Sequence, residues 1–199
     1  KNTAYELMPS LVGSDMCIRD RTMASRFNYV DGRLRELAVN LNDQISVFVL
    51  DINQYTSDIN QLNYQIARLE RTPGGSPNDL LDQRDRALEG LSKLIRIDAR
   101  LQEDGSINVY TNSGHRLVSQ AGAETMRLVP GAEPHSSVGV FVSAAGGVDR
   151  ELTNFAFGGE MGAAIDASRN IVDNTGRELG LLAVAFTHAF NGQHVAGDT

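Results

Sequence analysis

The sequence is poor in the residues that chemistry at a site would need. It has one cysteine, Cys17, so no disulfide can close within the chain and no Cys-x-x-Cys zinc or redox site can form. The four histidines, His115, His135, His188 and His194, show no His-x-x-x-His spacing, and the six-residue gap between the last two takes them off one helical face. Positive charge is scarce: 18 Lys and Arg stand against 25 Asp and Glu, a net charge of -7, and no basic stripe tracks phosphates or an anionic bilayer. Nucleic-acid and membrane partners are excluded on that ground. No apolar run approaches the roughly 20 residues that span a bilayer, and no basic segment leads into an apolar signal core. A Gly-x-Ser-x-Gly elbow is missing, and Gly146-Gly147 and Gly158-Gly159 lack the strand-turn-helix context of a dinucleotide site, so both read as turns. Asp79, Asp82 and Asp85 could suggest paired carboxylates, with Glu160 as a further acid. Arg84 and Arg86 stand beside the aspartates to neutralise them, and no spacing assembles a polar pocket. The sequence therefore predicts no enzyme, no cofactor, no metal and no small-molecule substrate.

What it does have is periodic apolar sequence. With 41% apolar residues in 199, the chain can bury a core as one domain or two small ones. Leu34, Leu37, Leu41, Ile45, Phe48, Ile52, Tyr55, Ile59, Leu62, Ile66 and Leu69 recur in steps of three and four, a heptad stripe. No Gly or Pro interrupts residues 33–72, so about forty residues predict a rod on the order of 60 Å long. Its other faces carry Asn40, Asn42, Asp43, Gln44, Asn53, Gln54, Asp58, Asn60, Gln61 and Gln65, amide-rich enough to suit lateral packing between subunits as well as a solvated face.

Pro73-Gly74-Gly75 ends the rod, and Ser76 is placed to cap a second helix with Pro77 in its first position and Asp79 facing the dipole. Leu80, Leu81, Ala87, Leu88, Leu91, Leu94 and Ile95 should fold that helix back on the rod. The period then becomes two. Strands are expected at 95–101 and 107–109 around an Asp104-Gly105 turn, at 116–118 after Asn112-Ser113-Gly114, and at 125–129 and 138–143. A last helical stretch runs from about Glu160 to Asn191, its apolar positions being Met161, Ile165, Ile171, Val172, Leu179, Leu182, Ala183, Phe186 and Phe190. The expected fold is α+β: a long antiparallel helical bundle or coiled-coil-like rod, residues 23–95 plus 159–194, with a small antiparallel β domain, 96–158, inserted. Residues 1–22 follow no helix or strand period. Their stretch 11–21 looks like a translated sequencing adapter, and the whole is set aside as a non-native leader.

Ile59-Asn60-Gln61-Leu62-Asn63-Tyr64-Gln65-Ile66-Ala67-Arg68-Leu69-Glu70 is followed, after the glycine-rich break, by Ser76, then Pro77, Asn78, Asp79, Leu80, Leu81, Asp82, Gln83, Arg84 and Asp85. The second block resembles the signature of the flagellar hook-associated protein 1 family. Asp104-Gly105-Ser106-Ile107-Asn108-Val109 with Gly114-His115-Arg116-Leu117-Val118 resembles the family's β hairpin, and residues 185–194 its helical end; the likeness covers about 27–199. Glu160-Met161-Gly162-Ala163-Ala164 departs from the family's Gly-Gly before the last helix, and the family's terminal polymerising helices are missing, so the chain is expected to be an internal fragment. The resemblance implies a structural subunit joining hook to filament, exported by the type III route without a cleavable signal, extracellular, and needed for flagellum assembly and motility. Its implied partners are identical subunits, the hook protein, a second junction protein and an export chaperone, with helices lining the tube and the β domain facing outward. The competing expectation, from the heptads alone, is a cytosolic coiled-coil scaffolding or regulatory module.

Overall fold

A computed structural model describes the backbone of residues 7–72, 76–131, 137–143, 149–152 and 157–197, and the side chains of those between 21 and 192. The protein is α+β. Helices α1 (Leu7–Glu70) and α2 (Asn78–Leu94) precede seven strands, β1 (Ile97–Leu101), β2 (Ile107–Thr111), β3 (Arg116–Ser119), β4 (Gly122–Ala123), β5 (Thr125–Val129), β6 (Gly139–Ser143) and β7 (Arg150–Glu151). Helix α3 (Gly159–Ala167), a π-helical stretch (Ser168–Asp173) and α4 (Asn174–Gly197) follow. Two compact units are formed, one by residues 38–173 and the other by 1–37 with 174–199.

In the larger unit, the fully inward positions of α1 are Ile45, Val49, Ile52, Thr56, Ile59, Asn63 and Ile66, in strict steps of four and three. Four members of the sequence stripe, Ile45, Ile52, Ile59 and Ile66, lie on this seam with no exposed surface, and Phe48 is buried beside it. Leu41, Tyr55, Leu62 and Leu69 flank it half-buried. The seam is thus turned slightly from the apolar stripe, because two of its places belong to polar residues that an apolar pattern omits. Helix α2 lies on α1 through Ala87, Leu91, Leu94 and Ile95. Gly90 allows that approach, since a Cβ there would come within 2.5 Å of the Tyr55 ring.

Ser76 was expected to cap α2, but the helix starts at Asn78, and the Pro77 position makes no side-chain cap bond. The Pro77 carbonyl itself accepts the Leu80 and Leu81 N–H groups at 2.9 Å, so the first turn is closed by backbone. At the other end Ile95 is extended (φ -140°, ψ 152°), which feeds the chain into β1.

The strands form two antiparallel sheets, in the orders β1-β2-β3-β4 and β5-β6-β7. The first hairpin pairs Leu101 with Ile107 and Ile97 with Thr111. Gly105 (φ +76°) makes its turn, as the Asp-Gly pair predicts. Strands β4 and β7, two residues each, have no signal in the sequence pattern. Val109, Leu117, Val118, Met126, Val140, Val142, Leu152 and Phe157 enter the same core as α1, α2 and the α3 residues Met161 and Ile165.

The stretch expected as one helix from 160 to 191 is interrupted by the π-helical turn. Met161, Ile165, Ser168 and Val172 share the buried face, while Ile171, one residue off it, is 53% exposed.

In the smaller unit, α1 is already helical at Leu7, within the stretch read as aperiodic. Extending an existing helix needs no new nucleus, and Pro9 stands in the first turn, where its missing N–H has no intrahelical partner. Met23, Phe27, Val30 and Leu179 border an apolar groove, and Phe186 stacks on Phe190 at 6.1 Å. Leu182, expected among the apolar positions of the last helix, is 62% exposed there. Leu34 is half-buried and Leu37 is 39% exposed.

Candidate assembly surfaces

Two asparagines on α1 hold one sheet each. An Asn side chain presents a donor and an acceptor side by side, as a peptide group does, and can stand in for a neighbouring strand. Asn53 Nδ2 donates to the Met126 carbonyl at 2.8 Å, and the Met126 N–H donates back to Asn53 Oδ1 at 2.7 Å. Ten residues on, about 15 Å along the helix, Asn63 repeats the arrangement on β2: Nδ2 donates to the Ile107 carbonyl at 2.7 Å and Oδ1 accepts its N–H at 3.0 Å. Asn53 had been grouped with the amides available for lateral packing. It is engaged inside its own chain, because the start of β5 passes within reach.

Asn63 also joins the signature block to the hairpin. Arg84 of α2 is buried, and its Nη1 donates to the Gly105 carbonyl at 2.6 Å and to Asn63 Oδ1 at 3.4 Å. Burial lowers its pKa, while the charges of Asp85 and Glu70 work in the opposite direction. The expected pairing of Arg84 and Arg86 with the neighbouring aspartates is therefore replaced by backbone contacts, since Arg84 reaches the turn and Arg86 Nε donates to the Asp82 carbonyl. Of the other signature residues, Leu80 and Leu81 are half-buried, as is Pro77, and Asn78, Asp79, Asp82, Gln83 and Asp85 face solvent. No sequence motif pointed to Thr56 or Asn63 as seam residues. The signal that could have found them is their seven-residue separation, in register with Val49.

The face of α1 opposite the seam is open. Val39, Val47, Leu50 and Tyr64 are 58%, 54%, 67% and 78% exposed, along a face that also carries Asp43, Gln54 and Gln61. Beyond Tyr64 this face runs into a groove of about 380 Å³, bordered by Arg68, Arg71, Asp104, Ser119 and Gln120. Its serines are occupied: Ser106 Oγ donates to Asp104 Oδ1, and Ser119 Oγ accepts the Ala121 N–H. The Ser106 hydroxyl and N–H, with Gln120, all donating to Asp104, hold its pKa below the ordinary value.

His115 is half-buried and His188 exposed, whereas His135 and the His194 side chain lie outside the described residues. Among the described residues no cluster of three or more His, Cys, Asp or Glu could hold a metal, and no helix is long and apolar enough to cross a membrane.

Comparison with known proteins gives a consistent result. The family described as the flagellar hook-associated protein FlgK helical domain matches residues 14–199, a span that begins inside the stretch 1–22. Flagellar hook-associated protein 1 of Salmonella typhimurium is 34% identical over 180 residues, which is 88% of this chain and 32% of the relative. The Escherichia coli protein of the same name is 33% identical over the same length, and the Bacillus subtilis one 32% over 128 residues, 64% of this chain and 23% of its own. Among solved structures, the flagellar hook junction protein FlgK from Burkholderia pseudomallei superposes with a TM-score of 0.70 at 31% identity, over 83% of this chain and 30% of that one. The chain thus spans about a third of the length of these relatives.

Proposed function

The chain belongs to the family of the flagellar hook-associated protein FlgK, and on that premise we propose that it is a structural, non-enzymatic part of the junction between hook and filament, working by packing against identical subunits. The observation that carries this reading is the division of labour on α1. Its inner face is saturated by its own chain, through the isoleucine seam and the Asn53 and Asn63 bonds, while Val39, Val47, Leu50 and Tyr64 stay uncovered on the opposite face. Large apolar side chains left outward along several turns of a rigid helix are suited to a subunit contact.

In this reading the helical residues 23–95 and 159–194 carry the contacts between subunits, and the inserted strands, 96–158, brace them and face outward. The hook protein and a second junction protein lie above and below. Export proceeds by the type III route with a chaperone, and the working location is the extracellular flagellum.

The test uses the intact protein that contains this chain. Val47→Glu with Leu50→Glu is expected to weaken self-association about a hundredfold, as the loss of a central apolar contact does. Its thermal melt should stay near that of the parent, because neither side chain is in the core. Sedimentation equilibrium reads the association. Unchanged assembly of the double variant would show that this face is not the subunit contact.

A further inference from the structure

The groove at the end of α1 is bordered by two guanidinium groups and one carboxylate, that of Asp104, which turns to other partners. Arg68 and Arg71 are exposed and border it together, yet neither has an ion pair or a side-chain hydrogen bond among the described residues. Their position near the helix C-terminus favours positive charge, but the dipole leaves the planar donor forks open.

The acids nearby are not available to them. Both Asp104 oxygens are taken, Oδ1 by the Ser106 N–H and hydroxyl and Oδ2 by Gln120 Nε2 at 2.9 Å. Glu70 lies against the hairpin turn, with its carboxylate 2.5 Å from where a Gly105 Cβ would be. In a chain of net charge -7, an unanswered pair of cations in a concave site is a specific feature, and Tyr64 makes that site continuous with the open face of α1.

We infer that this groove receives the acidic outer row of α2, Asp79, Asp82 and Asp85, from a second copy of the chain. This rests on the subunit-packing reading above and names the contact within it. The row is exposed; Arg86 bonds the Asp82 carbonyl and the charge of Asp85 acts on Arg84, and among the described residues none of the three carboxylates accepts a side-chain hydrogen bond. The spacing also matches. Arg68 lies in the last turn of α1 and Arg71 in the turn just after it, three residues on, while Asp79, Asp82 and Asp85 recur every three residues on α2, about 4.5 Å per step, so the two guanidinium groups can meet successive carboxylates of the row.

Groove and row are different surfaces of one chain, so the contact is heterologous. Each subunit gives its row to one neighbour and its groove to another, which builds a ring or a helical array in place of a closed dimer.

The experiment uses the intact protein and three variants: Arg68→Glu with Arg71→Glu, Asp82→Lys with Asp85→Lys, and all four changes together. Each double variant alone is expected to self-associate at least about tenfold more weakly than the parent, two surface pairs being replaced by like charges. An equimolar mixture of the two double variants, and the fourfold variant alone, should recover association. All three should keep the parent's circular dichroism, and Arg68→Gln with Arg71→Gln serves as a milder variant if the glutamates perturb folding.

Loss in both double variants with recovery in the mixture supports the contact. Loss in the arginine variant without recovery in the mixture would mean that the groove meets a different surface of the neighbouring copy and would overturn it. Parent-like association in both double variants would also overturn it while leaving the subunit-packing reading intact, whereas a parent that stays monomeric would sink that reading as well.

Discussion

Changing Ile59 to aspartate should cost about 4 kcal/mol of stability, the sum of a lost aliphatic contact and a carboxyl group forced into an apolar interior. Ile59 has no exposed surface and belongs to the cluster that unites α1, α2 and both sheets. The loss should therefore appear as one cooperative shift of the whole 38–173 unit, with helix and strand signals falling together in a urea titration. Gln61→Asp, exposed and two residues away, should change the midpoint by no more than about 0.5 kcal/mol. Equal midpoints for Ile59→Asp and the parent would mean that the seam is not the core of this unit.

Removing the Asn63 side chain should cost nearly as much, about 3 kcal/mol in Asn63→Ala, although the residue is polar. The cost follows from what is left behind: the Ile107 N–H and carbonyl lose their partners, and Arg84 keeps only Gly105. Asn40→Ala, on an exposed turn of the same helix, should be neutral to within about 0.5 kcal/mol. Hydrogen exchange gives a second readout, since the Ile107 amide should exchange faster in Asn63→Ala while amides of β6 remain protected. Matching stabilities of the Asn63 and Asn40 variants would remove the helix-to-sheet bracket from this account.

These two residues mark where the sequence is readable and where it is not. Ile45, Ile52, Ile59 and Ile66 recur every seven residues and are apolar, so a local pattern finds them. The Asp104-Gly105 hairpin is legible for a different local reason, the need for positive φ at its glycine. Asn53 and Asn63 are invisible to hydropathy, because their inward placement depends on strands more than forty residues away that offer backbone partners, and Thr56 because its hydroxyl is satisfied within the helix, on the Asn53 carbonyl. Arg84 reads as a member of a charged run, and only the fold reveals the carbonyl it reaches. Leu50 and Val47 lie off the heptad stripe, but spacing alone does not tell an open position from one that another element covers, and only the fold shows their face uncovered.

Cysteine cross-linking would test most directly whether α1 has an inner face for its own chain and an outer face for other copies. In the assembled intact protein with Cys17→Ser, a benzophenone-maleimide attached to Leu50→Cys should, on irradiation, capture whatever surface of the neighbouring subunit covers it, giving a ladder of oligomers on a denaturing gel, and Ile52→Cys, with no exposed surface to label, should remain monomeric. The account would be contradicted by a ladder from Ile52→Cys, or by Leu50→Cys staying monomeric in an assembly that forms normally.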